Sequence, residues 1–122
     1  MIASSRLALA AVLGVVLLMA AGQLLFKATA AAWQLHGTLF APEPALRLLA
    51  SLAVYGVATL AWIWVLQGTS LSVAYPLVAL TFVLVPLGAW WWFGEALSPR
   101  YVVGMLLIVA GIAVATWRGG GP

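Results

Sequence analysis

The chain contains no cysteine and no aspartate. Without a thiol it has no disulfide framework, no thiolate nucleophile and no thiolate metal site. Its acids are Glu43 and Glu95 alone, and its one imidazole is His36. These three fall on predicted connections between apolar runs and form no triad, carboxylate pair or metal cluster, so catalysis, a bound metal and a cofactor are not expected. His36 reads as a solvated loop residue. Charge of any kind is scarce, at 6% of 122 residues, and the formal charge of +3 rests on Arg6, Lys27, Arg47, Arg100 and Arg118. Five basic groups spread this widely make no patch for nucleic acid.

What the chain does have is apolar: 66% of residues are hydrophobic and the mean hydropathy is +1.20. A water-soluble fold would have too little polar surface to cover itself, so the solvent is a bilayer. Crossing a hydrocarbon core of roughly 30 Å takes about 20 apolar residues in a helix. Four uncharged runs qualify: Leu7 to Phe26, Leu48 to Leu66, Leu71 to Phe93 and Tyr101 to Trp117. The last reaches spanning length because Ser98-Pro99 reads as an N-cap followed by proline at the first helical position. The first run exceeds the ~7 to 15 apolar residues of a signal peptide, although Ala28-Thr29-Ala30 resembles a cleavage site. Period-two alternation, the mark of a membrane barrel strand, is missing.

The expected fold is an all-α membrane protein, one transmembrane domain over residues 1–122, with helices at Leu7 to Trp33, Leu46 to Leu66, Leu71 to Phe93 and Pro99 to Trp117. The Ala-rich stretch from Ala28 carries the first helix past the hydrocarbon edge until Gly37 and Pro42 stop it. Short connections at Gly68-Thr69 and at Gly94 to Leu97 make neighbouring helices antiparallel. Four spans place both termini on one side, with Arg6 and Arg118 there and Lys27, Arg47 and Arg100 on the other. That bias is too small to set orientation. Trp90, Trp91 and Trp92 point to different sides of one helix end, as an interfacial aromatic belt requires.

Four short helices enclose little interior, so a dimer is expected. Gly104 and Gly111, seven residues apart, supply the small-residue face through which helices approach closely in lipid. Gln23 and Lys27 lie four apart on one face of the first helix, with Gly22 making room beside them. An ionisable group at membrane depth marks function, and an ammonium with amide donors suits an anion such as phosphate. Snorkelling to the headgroups is the competing role for Lys27. Pro76 and Pro86 each remove a helical hydrogen bond, so the third helix is expected to kink and to be the moving or substrate-facing one. Tyr75 offers a hydroxyl near that helix start, Gln67 lies close to the same turn, and Glu95 is expected to meet Arg100 in a local ion pair or cap.

The strings AGQLLFKAT, VLQGTSLSVAYPLVALTFVLVPL and FGEALSPRYVVGMLLIVAGIAV resemble the four-helix branch of the drug/metabolite transporter superfamily. Within it they are most similar to the ArnE/ArnF-type subunits of aminoarabinose-phosphoundecaprenol flippases. The most specific elements are Gly22-Gln23 with Lys27, Leu66-Gln67 with Ala74-Tyr75-Pro76, and Gly94-Glu95 with Ser98-Pro99-Arg100. The related small multidrug-resistance exporters share the bundle and the Ala74-Tyr75 pair, but carry a mid-membrane glutamate in the first helix. Here that helix holds no acid from Leu7 to Phe26.

The resemblance implies a multi-pass protein of the bacterial inner membrane that moves an undecaprenyl-phosphate-linked sugar, such as aminoarabinose, between leaflets. Lipid A modification and polymyxin resistance would follow. Combined with the residues above, it implies that Lys27 holds the phosphodiester while Gln23 and Tyr75 supply neutral hydrogen bonds. Glu95 would meet the amino group of an amino-sugar, a neutral sugar needing no acid, and Gln67 and Arg100 are further substrate-binding candidates. The partner implied is a second copy or a paralogous subunit, besides membrane lipid. A small multidrug or metabolite exporter and a non-transporting stabilising subunit are the alternatives.

Overall fold

The computed structural model describes residues 5–117, all of whose regular structure is helical. The elements are α1 (Ser5–His36), α2 (Pro42–Leu66), α3 (Leu71–Val78), α4 (Thr81–Phe93) and α5 (Pro99–Thr116). α3 and α4 follow one another along a single path, so the five elements form four helices long and apolar enough to cross a membrane. Arg118, one of the basic residues used to weigh orientation, lies outside the described residues.

Each boundary has a local cause. α1 runs beyond Trp33 to His36 and ends at Gly37, whose φ of +75° suits the residue without a Cβ. Pro42 then opens α2 four residues earlier than expected, at a position where its missing N–H has no helical partner to lose. Ser70 caps α3 by accepting from the Val73 N–H at 3.4 Å, and Ser98 caps α5 by accepting from the Tyr101 N–H at 3.1 Å. Gly94, at φ +69°, closes α4, and the next N–H, that of Glu95, reaches back to the Ala89 carbonyl at 3.3 Å.

The third span departs from the expected pair of proline kinks. Pro86 sits inside an uninterrupted α4, while the path breaks at Ala79-Leu80, just beyond Pro76. Pro76 has no N–H for the Ser72 carbonyl, which weakens the turn before the break. From there the backbone tightens to three-residue bonds, Ala79 N–H to Pro76 O at 3.2 Å, Leu80 N–H to Leu77 O at 3.0 Å and Phe82 N–H to Ala79 O at 2.9 Å. The Thr81 hydroxyl donates to the Val78 carbonyl at 2.8 Å across the same point.

α1 is the packing axis. It lies along α2 and also touches α3 and α4, and α5 packs on α3 and α4. Val12, Val15 and Val16 meet Val65 of α2 and Ala74 of α3 in the buried core. Nearer the other membrane face the α1 contacts shrink to Ala20, Ala28 and Ala32. Small residues let helices approach where lipid supplies no hydrophobic drive between them. Gly22 receives the Tyr55 ring of α2 and Gly88 of α4 receives Leu24. Bulky apolar residues such as Leu60, Leu106 and Leu107 face outward, as a lipid solvent permits.

Candidate functional site

The apolar run of α1 ends at Phe26, so Lys27 stands at the hydrocarbon edge, on the face where α4 ends and α5 begins. Gly94 turns the chain out of α4 there, and Glu95, the next residue, comes within 3.9 Å of the Lys27 ammonium. The side chains are 55% and 50% exposed. Glu95 thus pairs across the bundle rather than with Arg100, and Ser98 supplies the α5 cap, so the expected local role of Glu95 is replaced by a long-range one. The sequence hid this because the two residues are 68 positions apart and meet only when α1 and α4 pack. Arg100 is exposed at the same membrane face.

One turn deeper, roughly 6 Å along α1, the Gln23 amide donates to the Tyr55 hydroxyl at 3.4 Å. The Tyr55 ring also leans on Phe26, with centroids 5.3 Å apart and planes at 39°. Tyr55 was not among the residues expected from sequence. Its signal there is a phenol in the middle of an uncharged span, opposite a glycine that can admit it. Gln23 and Tyr55 open into a cavity of about 370 Å³ completed by Met19, Thr81, Phe82 and Tyr101, with Val78, Val85 and Pro86.

Tyr75 is elsewhere. Its neighbour Ala74 is in the core with Val12 and Val16, and Val16 is eleven residues from Lys27, roughly 16 Å along α1. Tyr75 lines a second groove, of about 470 Å³, with Ser72, Pro76 and Ala79. Gln67, exposed at the end of α2, belongs to that end as well. The structure therefore does not gather Lys27, Gln23 and Tyr75 round one point, because α1 and α3 run antiparallel to α2 and begin at the opposite face. The two hollows share Val78, Thr81 and Phe82 at the α3–α4 break.

A separate charged network closes the α1–α2 corner. Arg47 donates to Glu43 at 2.6 Å and to the Ala28 carbonyl at 3.1 Å, and the His36 ring faces Glu43 at 3.6 Å and the Ala32 carbonyl at 3.0 Å. His36 is thus held at the corner rather than simply solvated. Gly104 is half-buried and Gly111 exposed, and a Cβ on either would meet nothing within 4 Å. Among the described residues no group of three metal-ligating side chains gathers.

Comparison with known proteins gives a consistent result. The chain is 46% identical over 97 residues, 79% of its length and 85% of the relative's, to a "Probable 4-amino-4-deoxy-L-arabinose-phosphoundecaprenol flippase subunit ArnE" of Sodalis glossinidius (strain morsitans). It is 39% identical over 111 residues, 86% of its length and 93% of the relative's, to the protein of that name in Pseudomonas aeruginosa (strain LESB58). The counterpart in Serratia proteamaculans (strain 568) is 38% identical over 96 residues, 79% and 84% of the two chains. No solved structure matches. With four apolar spans in the structure and the model of the EamA-like transporter family matching residues 1–117, the chain belongs to the EamA-like transporter family.

Proposed function

We propose that this multi-pass bacterial inner-membrane protein is one subunit of a flippase for an undecaprenyl-phosphate-linked amino-sugar, carrying the head group from the inner to the outer leaflet. The observation that carries this reading is the Lys27–Glu95 pair at the hydrocarbon edge. A phosphodiester that bears an amino-sugar has one anionic and one cationic group, and the pair offers the complement of each. Half-exposed partners 3.9 Å apart hold each other weakly, by about 0–1 kcal/mol, so exchange for a substrate of the same charges costs little. Arg100 at the same face adds positive potential for the phosphate. Tyr75, Ser72 and Gln67 form the station at the opposite face, and the polyprenyl tail stays in lipid beside the grooves. The relatives' names support the substrate class. No covalent step is required, so the protein acts as a transporter subunit rather than as an enzyme.

The partner is a second copy or a paralogous subunit, met through Gly104 and Gly111, where open space stands above each Cα. The test is transport of the lipid-linked amino-sugar in proteoliposomes, normalised to inserted protein. A charge-assisted hydrogen bond is worth about 1.5–3 kcal/mol, so Lys27→Ala is expected to slow transport by roughly one to two decades. Lys27→Arg keeps the charge in a different donor geometry and is expected to retain part of the rate. Equal rates for wild type and Lys27→Ala would remove Lys27 from the substrate path and leave it a snorkelling anchor.

A further inference from the structure

The cavity shared by α1, α2, the end of α3, α4 and the start of α5 has a chemistry unlike that of the Lys27–Glu95 pair above it. Its polar groups are the Gln23 amide and the hydroxyls of Tyr55, Thr81 and Tyr101, set between apolar walls that include Met19 and Phe82. Among the described residues lining it there is no carboxylate, ammonium or guanidinium. A cationic ligand would want the first and an anion one of the others. Amides and hydroxyls both donate and accept, which fits a neutral ligand with several hydroxyls. The volume of about 370 Å³ lies in the range of small-molecule sites, roughly 300–1,000 Å³.

Geometry ties this hollow to the charged pair. Gln23 is four residues before Lys27 on the same helix face, roughly 6 Å deeper, so a ring attached to a phosphate at Lys27 reaches the hollow. The Tyr55 ring is held in place by the missing Cβ of Gly22 and by Phe26. Its hydroxyl accepts a long bond of 3.4 Å from Gln23, easily replaced by a ligand hydroxyl. The Thr81 hydroxyl gives its proton to the Val78 carbonyl and so presents an acceptor.

We infer that this cavity receives the hydroxyl-bearing edge of the sugar ring of the lipid-linked substrate, its amino group staying at Glu95 outside the cavity, with Tyr55 as a specificity-determining residue. The inference rests on the flippase reading and adds the part of the protein that distinguishes a sugar-bearing carrier from bare polyprenyl phosphate. The full chain is reconstituted with two probes, a polyprenyl phosphate that carries the amino-sugar and one that carries none. Tyr55→Phe removes a single hydroxyl and is expected to slow the sugar-bearing probe roughly tenfold, with the bare phosphate changed less than about twofold. An equal fall for both probes, or no change in either, overturns the subsite. If wild type moves neither probe, alone or co-reconstituted with a paralogous subunit, the flippase reading fails by itself. Binding of the same two lipids in detergent, read by tryptophan fluorescence, then decides the subsite: a sugar preference lost in Tyr55→Phe upholds it, and equal wild-type affinities overturn it.

Discussion

Gly22→Ala tests whether the α1–α2 contact is built around the Tyr55 ring. A Cβ at Gly22 overlaps Tyr55 Cδ1 outright and stands 3.2 Å from Cε1, where carbon contacts settle at about 3.5–4.0 Å. The ring has little freedom to yield, being packed against Phe26. Overpacking of this kind costs about 1–3 kcal/mol. Alanine also gains up to about 1 kcal/mol of helix propensity over glycine, so the proper baseline is a glycine in open space. Gly14 of α1 and Gly56 of α2 provide it, since a Cβ on either meets nothing within 4 Å. Relative to Gly14→Ala and Gly56→Ala, Gly22→Ala is expected to lose about 1–3 kcal/mol. Gly88→Ala is the contrasting case: its Cβ would stand 2.6 Å from a terminal methyl of Leu24, which can swing to another rotamer, so it is expected within about 1 kcal/mol of the baseline. Reversible unfolding in mixed micelles, followed by circular dichroism, supplies the free energies. Adding Tyr55→Ala should relieve the Gly22→Ala penalty, a coupling read from the double-mutant cycle. If Gly22→Ala matches Gly14→Ala in stability, or if its cost shows no coupling to Tyr55, the contact does not control the packing.

The exchange Lys27→Glu with Glu95→Lys restores opposite charges in reversed order, so unfolding free energy should stay within about 1 kcal/mol of wild type while transport in proteoliposomes does not recover. Full recovery of transport would mean that only the pairing matters. Arg47→Ala removes the link between α2 and the Ala28 carbonyl and leaves Glu43 without its closest cation. A loss of about 1 kcal/mol in micelle unfolding is expected, with less loss for Arg47→Lys. Gly104→Leu with Gly111→Leu meets open space inside the chain, so monomer unfolding should be unchanged while crosslinking between subunits in membranes falls. Unchanged crosslinking would place the subunit contact on another face.

Sequence alone determined what depends on neighbours along the chain. The four spans follow from uncharged runs measured against bilayer thickness, because in lipid every backbone group must be satisfied within its own helix. Gly37, Ser98 and Gly94 marked helix ends, since caps and left-handed turns are set by the residues at them, whereas Pro42, read as stopping the first helix, opens α2 instead. The family was legible because its motifs are local strings. Tertiary structure decided what depends on how helices face one another. Pro76 and Pro86 look alike in sequence, yet the break falls beyond Pro76 alone and Pro86 is absorbed in α4. Glu95 turned to Lys27 rather than to Arg100, and Tyr75 went to the opposite end of the bundle from Lys27. Tyr55 entered the site through the space Gly22 leaves. Hydropathy fixes how deep a residue lies in the membrane but is blind to the azimuth of one helix against the next. That azimuth comes from side-chain packing between distant segments, and it is what assembles the candidate site.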